Sequence, residues 1–125
     1  MLEVEVIGSA LDAGEVRRAC EVAAGAAGVR EGHVAVEFVG PERITTLNRE
    51  FRGREGPTDV LSFPVDEEGA AHGERELGDV VICAEHSDDL LEVVVHGVLH
   101  LTGMDHETDK GEMLALQGAL LARLR

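Results

Sequence analysis

Apolar positions along this chain follow two periods. In LEVEVIG, Leu2, Val4 and Val6 alternate with Glu3 and Glu5, the pattern of a strand with one buried face over residues 2–7. Similar short runs predict strands at 33–40 (HVAVEFVG), 58–65 (TDVLSFPV) and 78–84 (GDVVICA), with Pro64 marking a sheet edge or a strand end. Between these runs the spacing lengthens to that of helices. Val16, Cys20, Ala23 and Ala27 fall near one face of a segment that Asp12 can cap and Gly28 can stop. Pro41 suits a first helical turn, and Ile44, Leu47 and Phe51 lie on one side of the short helix that follows, residues 41–51. SDDLLEVVVHGVLHLTG, residues 87–103, reads as a buried central helix with Ser87 or Asp88 as its cap and Gly103 as its stop. Val93–Val95 alone would suit a strand, but Leu91, Val94, Val95, Val98, Leu99 and Leu101 repeat at helical spacing. Met113, Leu116, Leu120 and Leu124 define a last helix over 109–124. RGREGP is a loop, and DEEGAAHGEREL is a polar, mobile connection. Strands and helices interleave. The expected fold is α+β: one small layered domain over residues 1–125, with a mixed four-stranded sheet packed on helices around a central one.

Composition narrows the function. A length of 125 residues favours one domain, and 44% hydrophobic residues can fill its core. No run approaches the ~18–20 apolar residues of a membrane span, and MLEVEVIG lacks the basic and apolar regions of a secretion signal. A soluble cytoplasmic protein without a membrane partner is expected, with Cys20 and Cys83 as small buried thiols in a reducing compartment. The net charge of −14 opposes casual binding of nucleic acid, yet a local basic patch remains possible. Arg43, Arg49, Arg52 and Arg54 crowd into twelve residues, either as a solvated helix face or as a site for phosphate. Aromatic side chains are limited to Phe38, Phe51 and Phe63, so a broad stacking platform is not expected.

Three of the six histidines fall within eleven residues, in VVVHGVLHLTGMDH. On a helix, His96 and His100 would be ~40° apart around the axis and ~6 Å apart along it, so both rings can face one ion. Gly103 can take the left-handed conformation that reverses the chain, and His106 can return as a third ligand. Three neutral imidazoles around one Zn2+ leave a fourth position open, which is the catalytic arrangement; water there has its pKa lowered to ~7. Asp105 either orients a histidine or caps the next turn, and Asp109 suits a cap. The spacing also matches the metzincin peptidase pattern, except that Gly97 stands where those enzymes carry the glutamate base. Either close approach by another backbone or substrate, or plain helix packing, would require a glycine there. His33, His72 and His86 stand singly and read as solvated surface residues.

With these residues in view, HGVLHLTGMDH resembles the H-G-x-L-H-L-x-G-x-D-H signature of the YbeY family of bacterial endoribonucleases. LNREFRGREGPTDVLSFP and LGDVVIC resemble two further blocks of that family, in order, so that the likeness spans roughly residues 34–120. The resemblance implies a single-strand-specific, metal-dependent endoribonuclease acting in 16S ribosomal RNA 3′ end maturation and in ribosome quality control. It implies a zincin-like site with one Zn2+ on His96, His100 and His106. It also implies a functional arginine at Arg52, with Arg49 and Arg54 as further candidates for substrate binding, and with ribosomal RNA and ribosomal proteins as partners. A guanidinium suits that role because it offers paired donors to phosphate. This chain departs from the family pattern in its short stretch Ala84–Val95 and in Met104, where an aromatic residue is commoner. Two other classes are weighed against the nuclease: a zinc-dependent peptidase or amidohydrolase, and a non-catalytic ribosome assembly factor with a structural zinc.

Overall fold

A computed structural model of the chain describes residues 2–65 and 75–125. In chain order these form β1 (Leu2–Ile7), α1 (Ala13–Ala26), β2 (Gly32–Val39), α2 (Pro41–Arg52), β3 (Val60–Pro64), β4 (Glu76–Cys83), a 3₁₀ turn (Ala84–His86), α3 (Leu90–Leu101) and α4 (Glu112–Leu124). The strands make one mixed sheet in the order β1-β2-β4-β3. The first three neighbours run parallel, and β3 pairs antiparallel with β4 at one edge. The architecture is therefore the expected α+β layer, with Pro64 ending an edge strand.

Helices α1, α3 and α4 bury one face of the sheet. Val16, Cys20, Val94, Val98, Leu99 and Met113 meet Val34, Val36, Leu77, Val80 and Ile82 there, all of them fully enclosed. Helix α2 covers part of the opposite face, where Ile44 and Leu47 pack on Leu61, Val81 and Cys83. Buried Asn48 holds the chain after α2: its Nδ2 donates to the Gly56 carbonyl at 3.0 Å.

Several boundaries differ from the sequence reading, each for a local reason. The cap of α3 is Asp89, whose carboxylate accepts the Glu92 N–H, and not Ser87 or Asp88. Ser87 instead donates to the Cys83 carbonyl and closes the 3₁₀ turn, which fills the short stretch between β4 and α3. In α1, Ala24 takes the buried place expected of Ala27, which is the exposed C-cap just past the helix. Helix α4 begins at Glu112, three residues later than expected, because residues 105–111 are spent in turns. Most of the polar connection, residues 66–74, lies outside the described residues, and Glu76 and Leu77 already belong to β4.

Candidate metal centre

Helix α3 is the most enclosed of the helices, and its histidines lie toward the end that meets solvent. Its termination is a Schellman motif. Leu101 is the last helical residue and Thr102 the C-cap, Gly103 follows at φ 104°, the Gly103 N–H donates to His100 O, and the Met104 N–H donates to Leu99 O. A left-handed residue at this point turns the chain back, and residues 104–106 fold against the face that carries His96 and His100. The structure brings His96, His100 and His106 together: one ring nitrogen from each lies within 4.8 Å of the other two. Ring centroids are 4.7 Å apart for His96 and His100, 5.1 Å for His96 and His106, and 5.3 Å for His100 and His106.

The hydrogen bonds behind these rings fix which nitrogen faces inward. His96 Nδ1 lies 2.8 Å from Gln117 Oε1, and His100 Nδ1 lies 2.9 Å from the Met104 carbonyl. Both partners are oxygen acceptors, so both Nδ1 atoms carry the proton. The Gln117 amide is oriented in turn by its Nε2, which donates to the Glu92 carboxylate at 3.4 Å. The two Nε2 atoms then present lone pairs to each other at 3.1 Å. Two acceptors at that separation repel unless a cation lies between them. Burial pushes the His100 pKa down and the neighbouring His96 adds to that shift, which favours the neutral, ligating ring. By donor chemistry and by spacing, the three residues fit a divalent metal ion.

The histidines open onto a cleft of about 660 Å³ whose other wall is the edge strand β3 with Thr58 and Asp59 just before it. Arg52, exposed at the C-terminal end of α2, lines the same cleft. Arg49 and Arg54 are exposed but do not line it. Asp105 lines the cleft, but its carboxylate accepts the Glu107 N–H, so the contacts that orient His96 and His100 come from Gln117 and Met104. Asp109 caps the turn into α4 by accepting from the Gly111 and Met113 N–H groups. Gln117 was not singled out by sequence reasoning. Its signal was a polar residue between Met113 and Leu120 on the buried stripe of α4, where an apolar side chain is the norm. His33 is not simply solvated, since its Nδ1 contacts the Glu76 carboxylate at 2.9 Å; His86 is exposed and His72 lies outside the described residues.

Gly97 is explained by packing. A Cβ at that position would lie 2.4 Å from Val80 Cγ1 and 3.3 Å from Val60 Cγ2, so the bare backbone lets α3 rest on the sheet. The Gly97 carbonyl also accepts from Ser62 Oγ of β3 at 3.0 Å. Position 97 therefore points into the helix–sheet interface, and no side chain, least of all a glutamate base, fits there without parting the two layers.

A mixed α+β sheet, a three-histidine cluster split between a helix and the turn after it, and a cleft bounded by the edge strand define a small zincin-like protein with a candidate metal centre. Comparison with known proteins gives the family. The chain belongs to the YbeY endoribonuclease family, whose model, Endoribonuclease YbeY, matches residues 9–125. Among relatives of that name, the protein from Rubrobacter xylanophilus is 44% identical over 99 residues, covering 77% of this chain and 70% of its own. The one from Geobacillus thermodenitrificans is 41% identical over 125 residues, covering 81% and 79%. The solution structure of TM1509 from Thermotoga maritima superposes with a TM-score of 0.58 at 26% identity, over 99% of this chain and 89% of that one.

Proposed function

We propose that this chain is a single-strand-specific endoribonuclease that uses one zinc ion held by His96, His100 and His106, and that its substrate is ribosomal RNA during maturation of the small-subunit 3′ end. The observation that carries the reading is the pair of inward lone pairs, His96 Nε2 and His100 Nε2, set 3.1 Å apart by hydrogen bonds at their other nitrogens. The naming of the relatives supports the reaction class. A divalent ion held by His96, His100 and His106 would supply Lewis acidity toward a phosphate oxygen and would lower the pKa of water. The chain's own residues do the rest. Arg52 offers paired N–H donors to the phosphate and steadies the negative charge that develops on it. Gln117 and the Met104 carbonyl hold two imidazoles in the ligating tautomer. Position 97 holds no base, so water and the RNA's own 2′-hydroxyl are the two candidate nucleophiles. They leave different ends, and a 2′,3′-cyclic phosphate in the mass spectrum of the cut RNA identifies the hydroxyl.

Work on ribosomal RNA in the cytoplasm, with ribosomal proteins as guides, accords with an acidic chain that repels free polyanions and needs a partner to bring it to its substrate. Among the described residues no helix is long and apolar enough to cross a membrane. The test is His100→Ala, assayed for zinc by elemental analysis and for cleavage of a precursor fragment of ribosomal RNA. The variant should lose both the metal and the cutting. Undiminished cleavage by a folded, zinc-free variant refutes the assignment. A peptidase of the metzincin pattern would need a base at position 97, and the contacts of Gly97 with β3 and β4 leave no room for one.

A further inference from the structure

We infer that Phe51 is a nucleobase-stacking residue at the mouth of the histidine cleft, where its ring holds one unpaired base beside the phosphate bound at Arg52. This rests on the endoribonuclease reading and adds the group that selects a single strand. Phe51 is 63% exposed, whereas Phe38 and Phe63 are half-buried, and the chain has no tryptophan or tyrosine. Among the described residues it is therefore the only exposed ring of Phe, Tyr or Trp. Phe63 meets it in an edge contact, with centroids 5.2 Å apart and planes at 75°. Such a contact fixes the ring's position without covering both of its faces. Phe51 borders the cleft that holds the three histidines, and Arg52, the next residue, borders it as well.

Charge argues for a base as the occupant. Most proteins gain affinity for nucleic acid by neutralising phosphates with Lys and Arg. This chain carries a net charge of −14, and Asp59, Asp105 and Glu107 line the cleft alongside its single arginine. The electrostatic contribution is correspondingly small, so a contact that needs no charge must supply affinity. Stacking on an aromatic ring does so for any base, because every base has a π face. It also discriminates, because bases within a duplex are already stacked on their neighbours and only an unpaired one can be splayed onto a side chain.

The test compares Phe51→Leu, which keeps apolar bulk over Phe63 but has no π face, with Phe51→Trp, which keeps one. The probes are a single-stranded 2′-O-methyl oligonucleotide for binding and the all-ribose RNA of the same sequence for cleavage. Phe51→Leu should bind the oligonucleotide about tenfold more weakly, and its KM should rise by more than its kcat falls. Phe51→Trp should bind at least as tightly as the wild type, with its indole fluorescence quenched on mixing. An abasic nucleotide at one position should weaken binding to the wild type and leave Phe51→Leu unaffected. Equal binding by wild type and Phe51→Leu, or an indole that the oligonucleotide does not quench, overturns the inference. So does a Phe51→Leu defect confined to binding of ribosomal particles, which would make the ring a protein contact. A wild type that binds with the stacking signature but cuts no RNA refutes the endoribonuclease reading and leaves the stacking residue in place.

Discussion

Replacing Gly97 with alanine tests the packing argument most directly. The new methyl carbon would sit 2.4 Å from Val80 Cγ1 and 3.2 Å from Val80 Cγ2, against an optimum of about 3.5–4.0 Å for carbon pairs. Val80 is β-branched, stiff at χ1 and fully enclosed on β4, so it has little freedom to turn away. Overpacking of this kind costs about 1–3 kcal/mol. Alanine in place of glycine within a helix returns about 1 kcal/mol. With a contact this short the cost lies in the upper half of its range, and the net expectation is a loss of about 1–2 kcal/mol. Gly118 provides the control. It lies inside α4, is exposed, and a Cβ there would meet nothing within 4 Å, so Gly118→Ala should show only the helical gain of about 1 kcal/mol. Urea unfolding followed by far-ultraviolet circular dichroism reads both midpoints. Trimming the obstacle in Gly97→Ala/Val80→Ala should recover part of the loss as a favourable coupling. A Gly97→Ala protein as stabilised as Gly118→Ala would show that α3 does not press on the sheet, and the explanation for the missing base would fall with it.

Other perturbations address the histidines and the thiols. Gln117→Met keeps the side-chain volume but removes the acceptor for His96 Nδ1–H, and should weaken zinc binding about 10- to 100-fold in competition with a chromophoric chelator; unchanged affinity would deny the amide its orienting role. The hydrogen bond that His33 donates to Glu76 raises the His33 pKa; burial opposes this by less, and the charges of Glu76, Glu5 and Glu3 add to the rise. The folded state therefore binds this proton more tightly than the unfolded one, so the stability it contributes is complete below the unfolded value of about 6.5 and is lost as pH rises through the raised native value. Unfolding free energies measured across that window should fall more for the wild type than for His33→Gln, and parallel curves would contradict the pairing. Burial, with the Glu21 charge adding to it, pushes the Cys20 thiol up to about 12, and Cys83 is also enclosed. Ellman's reagent at pH 8 should find both thiols only after denaturant is added; prompt reaction of the native protein would show that this part of the core opens.

The parts of the site that were legible in the sequence are those with short-range causes. His96 and His100 are related by one helical turn, and Gly103 followed three residues later by His106 describes a local reversal, so spacing alone brings three rings together. Arg52 and β3 reach the same cleft only through tertiary packing, and it was the resemblance to a family, not periodicity, that pointed to Arg52. Gln117 was hidden for the same reason. It lies 21 residues beyond His96, and its partner Glu92 is on another helix, so only the docking of α4 on α3 completes the series Glu92–Gln117–His96. Helix starts were misplaced where neighbouring polar residues compete for one job. Ser87, Asp88 and Asp89 are all competent caps, and the 3₁₀ turn after β4 engages Ser87 and leaves Asp89 to α3.

Gly97 joins the fold to the chemistry. The metzincin spacing of the histidines invites a peptidase reading, and composition alone can say only that the base is missing. The packing says why it cannot be restored by a single change. The helix has approached the sheet so closely that Val80 and Val60 occupy the space a side chain would need, and Ser62 of the edge strand fastens the Gly97 carbonyl. That approach also sets the breadth of the cleft, because β3 is at once the strand against which α3 rests and the wall facing the histidines. A side chain inserted at position 97 would press on Val80 and Val60 and part α3 from the strands that wall the cleft. The proton of the reaction must therefore be managed by water, by the substrate or by a group across the cleft. A substrate that carries its own nucleophile beside the bond to be broken, as RNA does in its 2′-hydroxyl, is the one best matched to a centre built this way.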